Sequence, residues 1–499
     1  MPLLALLFII ILSSLKSVYF FNTQLELHRI ITYLILFIVI AALFQTEKRL
    51  KLLAYCIIGT AAIAGLTGFS TFMLGASFNI CVSMGMAFAL AFIFCDTSRY
   101  VKIALGIVFF ILLGSSIATF DRGCWLGVIA MIIFLFVLLG YEGLLREKFW
   151  FLVLFFILFL WATALFTRFD KIVEKFISVF IMNPKDAFIV DYDTTIWDRI
   201  SIWESALKVI RAHPFLGVGL GNFELAYPLF RDKTIVNLVD YAHQDYLQFA
   251  VESGLLGLLS LLWLGSSFFK KMFYGIKCAQ DTPIAGLKIG AFSSCFVMIL
   301  YSLYDFGFHI PSDALLFMVS CGILMALYFM QHKDSKKIEW NANIARAAHL
   351  ASIFILAFYM AYLGKLFMAD VNYKNGVMAM NNFLFTKAEK SFKRALFYVP
   401  QNAEYAARLG ELYTHRSRFK NNRDFYQKQS IDSYRKAVFI NPYNGNLHIE
   451  AAIAYARCGQ RKEAEKEFGR AISLDPNNAF YRAILARYAV EEKKSDETF

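Results

Sequence analysis

No two cysteines in this 499-residue chain have the spacing of a metal knuckle or a redox motif. Seven of the eight lie in or beside apolar segments, and the polar C-terminal stretch holds only Cys458. A disulfide framework is thereby excluded as the organiser of the fold, and most of these cysteines read as small core residues. Charge is scarce too: 18% of residues are charged, against 58% apolar, with 52 Phe. Mean hydropathy is +0.53. A soluble globule of this length is not so apolar; a polytopic membrane protein is. The net charge of +12 does not call for nucleic acid, because cytoplasmic loops of membrane proteins collect Lys and Arg.

Other absences narrow the function. The apolar N-terminus has no small-residue cleavage site, so it reads as a first spanning helix and not a removed signal. The two halves show no paired broken helices of the kind that mark a transporter. Gly217, Gly219 and Gly221 follow no strand and open no helix, so they fail the dinucleotide test and read as a tight turn against the membrane. In the polar interval no carboxylate or His/Cys cluster has ligand spacing beyond Asp191 and Asp193, which read as a solvated turn. No metal and no cofactor are expected.

The chain is read as all-α. Eleven apolar runs long enough to cross a bilayer centre near Ile11, Phe37, Ala61, Ala87, Phe110, Ile132, Ile157, Leu258, Phe296, Val319 and Phe358. Their short loops alternate in charge. Lys48, Arg49 and Lys51, Arg99 and Lys102, Arg146 and Lys148, Lys270, Lys271 and Lys277, and Lys333, Lys336 and Lys337 fall on one side. Little beyond Arg29 and Arg122 falls on the other. The positive-inside rule then places the N-terminus in the cytoplasm, with the large loop 168–243 and the C-terminal domain outside. Domain boundaries follow: a transmembrane domain over 1–368 and a polar domain over 369–499.

That polar domain repeats. Ala388, Phe392, Ala395 and Pro400 recur as Ser430, Tyr434, Ala437 and Pro442, and again as Ala464, Phe468, Ala471 and Pro476. The offsets are 42 and then 34, and a 34-residue period with this small–aromatic–small–Pro pattern resembles the tetratricopeptide repeat. Leu409, Gly410, Tyr413 and Gly459 fit that pattern. The longer offset reads as an insertion near Asn421. A helical solenoid of this kind serves as a binding surface or as a packed spacer.

Between Trp197 and Gly257 the chain concentrates its chemistry. Ile196, Ile200, Trp203, Leu207 and Ile210 make an apolar stripe at helical spacing, with Asp198, Ser201, Ser205 and Lys208 opposite and Arg199 at the rim. A guanidinium there needs an anion, and phosphate suits its planar fork; the alternative is a snorkelling side chain or a local ion pair. Arg122 in ATFDRGCWLG sits at the outer membrane edge, either for an anion or paired with Asp121. His243, three residues before Tyr246, can take a proton from a hydroxyl near neutral pH, or serve structurally. Asp305 and His309 in YDFGFHIP lie at the outer end of the ninth run, lining a cavity or capping helices. Arg211 and Gln248 complete the candidate set.

RISIWESALKVIRAHPFLGVGLGNF followed by AHQDYLQFAVESGLLG closely resembles the O-antigen ligase family. Arg199, His213-Pro214, Gly217, Gly219, Gly221, Phe223, His243, Leu247, Gln248, Glu252, Gly254 and Gly257 fall on its pattern. DRGCWLG resembles its other arginine motif, with Asp121 in place of the usual Ser, and HQD departs from the commoner His-Asn. The resemblance covers roughly 99–330. It implies a glycosyltransferase C-like membrane fold in the bacterial inner membrane, with the polar loop and tail periplasmic. It also implies inverting, metal-independent transfer of a glycan from undecaprenyl diphosphate to a glycan, lipid or protein acceptor. His243, Arg199 and Arg122 would be catalytic; Arg211, Asp305, His309 and Gln248 would bind diphosphate or glycan. The tail suggests a protein partner or a recruited acceptor. Two alternatives stand beside this reading: a protein O-oligosaccharyltransferase, and a non-catalytic scaffold or transporter component of envelope polysaccharide assembly.

The charge alternation makes a direct prediction. A cysteine placed at Asn477 should react with a membrane-impermeant thiol reagent in intact cells, and one at Lys336 should not. Equal labelling would overturn the orientation.

Overall fold

The computed structural model describes residues 1–71, 76–95, 98–118, 122–144, 196–233, 235, 239–277, 283–332, 342–419 and 422–496. The expected span near Ile157 and the Asp191/Asp193 pair lie outside these residues. Every regular element among the described residues is a helix. The first ten long helices are α1 (Pro2–Leu15), α2 (Phe20–Leu43), α3 (Glu47–Thr71), α4 (Ala76–Cys95), α5 (Arg99–Ala118), α6 (Arg122–Tyr141), α7 (Ile196–Ala212), α8 (Asp245–Gly275), α9 (Pro283–Tyr301) and α10 (Pro311–Gln331). Then come α11 (Ala342–Asn381), α12 (Phe385–Tyr398), α13 (Ala403–Arg416), α14 (Arg423–Ile440), α15 (Gly445–Arg457), α16 (Arg461–Leu474) and α17 (Ala479–Asp496).

Seven of the described helices are long and apolar enough to cross a membrane: α2, α3, α5, α6, α8, α9 and α10. This is a multi-pass membrane protein. Of the other expected spans, α1 has 14 residues and the apolar stretch Asn79–Cys95 of α4 is also short. The run near Phe358 falls inside the 40-residue α11.

The chain divides into two compact units. The first comprises 1–16, 24–223 and 239–335; the second comprises 17–23, 224–238 and 336–499. The core of the first unit is built around α4, which packs on α3, α5, α6, α9 and α10. A helix apolar on every face has to be surrounded, and from Ile80 to Phe92 each hydrophobic side chain of α4 is buried. Small residues allow the close approach: Gly85 meets Ala61, and Gly290 meets Phe88.

In the same unit α1 and α7 pack against α8. The chain bends inside α8 at Gly254, where φ is 72° and ψ is 177°. That conformation is essentially confined to glycine. The bend leaves carbonyls of α8 without helical partners, and the glycine turn after α7 supplies donors. Val218 N–H donates to the Val251 carbonyl at 3.1 Å, Gly219 N–H to the Glu252 carbonyl at 2.9 Å, and Leu255 N–H to the Pro214 carbonyl at 2.8 Å. The Ser13 hydroxyl of α1 also donates to the Glu252 carbonyl, at 3.0 Å. Gly217, Gly219 and Gly221 all have positive φ, at 66°, 94° and 71°. This is the tight turn expected from sequence.

In the second unit each helix from α11 to α17 packs on its neighbours in sequence. Ala388, Phe392 and Ala395, then Ser430, Tyr434 and Ala437, then Ala464, Phe468 and Ala471 are all buried on α12, α14 and α16. Two residues after each repeat proline stands an asparagine that caps the following helix. Asn402, Asn444 and Asn478 accept hydrogen bonds from Glu404, Asn446 and Phe480 N–H at 3.0 Å each. The repeat pattern therefore extends to Pro-x-Asn, a helix-start signal the small–aromatic pattern alone does not contain. This unit also takes in two distant segments. Tyr19 donates to the Gln401 carbonyl at 2.5 Å, and the 224–238 segment contributes Arg231, discussed below.

Gly254→Ala should destabilise the membrane unit, because a Cβ there would overlap the Phe215 carbonyl as well as strain the backbone. We expect about 3 kcal/mol or more, combining backbone strain with overpacking. A thermal unfolding scan of the detergent-purified variant with a midpoint equal to the parent's would contradict this.

Candidate functional site

Arg199 lies one turn into α7. The buried face of this helix is Ile202, Ser205, Ala206, Val209 and Ile210, while Leu207 is 44% exposed. The expected stripe through Leu207, with Ser205 opposite, is thus corrected by a rotation of about one residue. α7 packs on α8, and close helix packing accepts small side chains such as Ser205 and Ala206 on a buried face as readily as large apolar ones. Arg199 remains half-buried at the rim, and its Nη1 donates to the Tyr304 carbonyl at 2.6 Å. Arg211 is exposed and lies about 18 Å farther along the helix axis. The fold does not bring it to Arg199.

His243 stands in the left-handed region, with φ 50°, which a histidine adopts only when its surroundings hold it there. The preceding residue is held from two sides. The Trp203 indole donates to the Ala242 carbonyl at 2.9 Å, and Ala242 N–H donates to Gln248 Oε1 at 3.0 Å. The imidazole meets the Phe306 ring edge to face, 5.2 Å between centroids. Its Nδ1 is 3.9 Å from Asp305 Oδ1 and makes no hydrogen bond among the described residues. Asp305 is buried and accepts from Phe306 N–H at 2.9 Å.

Tyr304 joins the two arginine motifs. Its carbonyl receives Arg199, and its hydroxyl donates to the Gly123 carbonyl at 2.8 Å. Gly123 directly follows Arg122, which opens α6 and whose side chain lies outside the described residues. Tyr304 is a residue the sequence reading missed. Its only signal was its place beside Asp305 in the motif at the end of α9.

Gln248 and His309 are engaged with the protein itself. Gln248 Nε2 donates to Glu252 Oε1 at 3.1 Å and lies 3.0 Å from His309 Nε2. His309 Nδ1 lies 2.7 Å from Asp245 Oδ1, and Asp245 Oδ2 accepts from Phe308 N–H at 2.9 Å. Glu252 Oε2 in turn accepts from Gly221 N–H at 2.9 Å. One buried network thus ties the glycine turn, the start of α8 and the loop after α9 together. Its acidic members, Asp245 and Glu252, were not in the candidate set. Glu252 falls on the family pattern without a role, and the spacing of the two, i and i+7 on one face of α8, is the other signal. Among the described residues, no group of three or more His, Cys, Asp or Glu could hold a metal ion.

Residues 107–262 match the family model described as O-antigen ligase. This stretch is O-antigen ligase-like. It contains Arg122, Arg199, Arg211, His243 and Gln248, while Asp305 and His309 lie beyond it. No curated protein matches the chain. The O-antigen ligase-like region therefore carries its arginines and histidine in a helical membrane scaffold, and the Tyr304–His309 stretch outside it meets Arg199 and His243.

Burial pulls the His309 pKa down, but the Asp245 hydrogen bond and the Glu252 and Asp245 charges outweigh it and leave the pKa above its ordinary value. A raised histidine pKa stabilises the fold fully below the unfolded value of about 6.5, and that contribution is lost as pH rises through the folded value. Thermal stability of the purified protein should therefore fall as pH is raised from below about 6.5 into the alkaline range. His309→Gln should flatten that slope. An unchanged slope would remove His309 as its source.

Proposed function

We propose that this protein transfers a glycan from undecaprenyl diphosphate to an acceptor hydroxyl on the outer face of the membrane, as an O-antigen ligase or polymerase does. One observation carries the reading. The O-antigen ligase match includes Arg199 and His243, and these two, far apart in sequence, meet adjacent residues, Tyr304 and Asp305.

In this reading the acceptor oxygen attacks the anomeric carbon from the face opposite the diphosphate. The bond from that carbon to the diphosphate oxygen breaks, its electron pair leaves with undecaprenyl diphosphate, and configuration inverts. The acceptor proton passes to His243 Nε2. Asp305, whose Oδ1 lies 3.9 Å from Nδ1, stabilises the imidazolium by its charge. Arg199 and Arg122 stabilise the departing diphosphate, whose charge is already present and which needs no metal to form. Gln248, Asp245 and His309 position the loop that carries His243. The stacked helix pairs with their buried small–aromatic–small triads support a tetratricopeptide-like array that binds an acceptor or a partner protein.

The donor can be identified by deleting the gene and extracting the lipid-linked glycan that accumulates. With that glycan as substrate, His243→Ala should lower transfer by roughly a hundredfold or more, the usual range for a lost general base. Arg199→Lys should also be strongly impaired, because a point charge does not replace a bidentate fork. Both variants should reach the membrane in normal amounts. Near-normal transfer by His243→Ala would exclude the base assignment, and a glycosylated protein as product would favour the oligosaccharyltransferase reading.

A further inference from the structure

The second unit exposes aromatic residues at its turns, and at one edge two of them sit beside basic residues in repeat register. Phe397 lies in the last turn of α12 and Phe439 in the last turn of α14, each two residues after the final alanine of its triad. They are 80% and 85% exposed. Arg394 and Lys436, three residues before them, share their helix faces and are exposed as well. The third repeat has Arg470 and Ser473 at these positions. There Phe480, in the first turn of α17, is exposed instead, and so is Tyr443 in the turn after α14.

Short turns make successive helices antiparallel, so the turns after α12, α14 and α16 lie along one edge of this unit. Two other segments of the unit meet the same edge. The Tyr19 hydroxyl is bound to Gln401 and Ala403, in the turn after α12. Arg231 Nη2 donates to Asp475 Oδ2 at 2.9 Å, and Asn477 Nδ2 donates to the Arg231 carbonyl at 2.6 Å, in the turn after α16.

The helix α11 fixes the height of this edge. Gly376 packs against the Phe392 ring, and the Tyr373 hydroxyl donates to Glu404 Oε1 at 3.1 Å, in the first turn of α13. The edge is therefore level with Tyr373. That is five residues, about 8 Å of helix, beyond Met368, where the apolar run near Phe358 ends. Leu350, Phe354, Phe358 and Phe367 of that run are each more than half exposed. An unpartnered apolar helix of this kind belongs in lipid. Where it leaves the lipid, exposed phenyl rings one turn from basic residues are the side chains a bilayer surface holds: rings at the headgroup boundary, cations on the phosphates.

We propose that this edge of the second unit is a membrane-docking surface, on which Phe397, Phe439 and Phe480 enter the headgroup layer of the bilayer that α11 crosses, and Arg394 and Lys436 bind the phosphates of anionic lipids. The unit is then held to the bilayer at several points and not by α11 alone. This docking goes beyond the transfer reading and does not depend on it.

The test uses the full-length protein, one copy per nanodisc, which leaves no second copy to cover the edge. Discs are made of phosphatidylcholine with phosphatidylglycerol, or of phosphatidylcholine alone. Phe439→Trp probes the edge. Phe425→Trp, about 21 Å back along α14 and also exposed, probes the opposite one. The emission each adds to the parent's is recorded with plain lipid and with lipid brominated near the headgroup. Phe439→Trp should add blue-shifted emission that the brominated lipid quenches; Phe425→Trp should add emission that it does not. Arg394→Gln with Lys436→Gln should lower the docked-to-free ratio in the anionic discs by about fivefold for each charge removed, read as lost quenching. In phosphatidylcholine alone the two Gln changes should matter less. Emission from Phe439→Trp that is not quenched, or is quenched no more than that from Phe425→Trp, would overturn the docking surface. Quenching indifferent to lipid charge and to both Gln changes would overturn the assignment to anionic headgroups.

Discussion

The bend of α8 at Gly254 is the feature on which the rest of the membrane unit's site depends. A continuous helix would use the Val251 and Glu252 carbonyls internally. The bend releases them, and the glycine turn after α7 takes them up through Val218 and Gly219. That exchange of partners fixes where α7 ends, and hence where Arg199 stands. It also sets the Glu252 carboxylate against Gly221, the first link of the buried network.

The network extends the same logic by side chains. Glu252, Gln248, His309 and Asp245 join in sequence, and Gln248 reaches Ala242 beside His243. Each polar group buried in a low-dielectric interior must find a partner, so a fully connected chain of them admits few alternative arrangements. The proposed transfer would need that rigidity, because its groups must be placed before the substrate arrives. Gln248 and His309 fit this supporting role, while His243 and Asp305 face one another without a hydrogen bond.

Much of this was legible beforehand. The apolar runs place α2, α3, α5, α6, α8, α9 and α10, because bilayer thickness imposes a length that composition reveals directly. The residues of the three small–aromatic–small triads in the tail are buried. The ordered pattern from Arg199 to Gly257 coincides with the O-antigen ligase match. The face of α7 was less legible. Spacing favoured Leu207, yet Ser205 and Ala206 are the buried residues, because contact with a neighbouring helix rewards small side chains as much as apolar ones. Tyr304 receives Arg199 on its backbone carbonyl, and no side-chain chemistry in the sequence could signal that contact.

The sequence by itself determined that this is a multi-pass helical protein, which arginines and histidine are candidates for its chemistry, and where the small–aromatic–small pattern of its tail recurs. These follow from local composition and period, which need no partner to be read. Only the tertiary structure decided that Arg199 and His243 converge on Tyr304 and Asp305, that Gln248 and His309 are spent on each other and on Asp245 and Glu252, and that Arg231 belongs with Asp475. Those pairings span up to 244 residues. They are chosen by which buried polar groups the packed helices leave facing one another, a choice that exists only once the helices are packed.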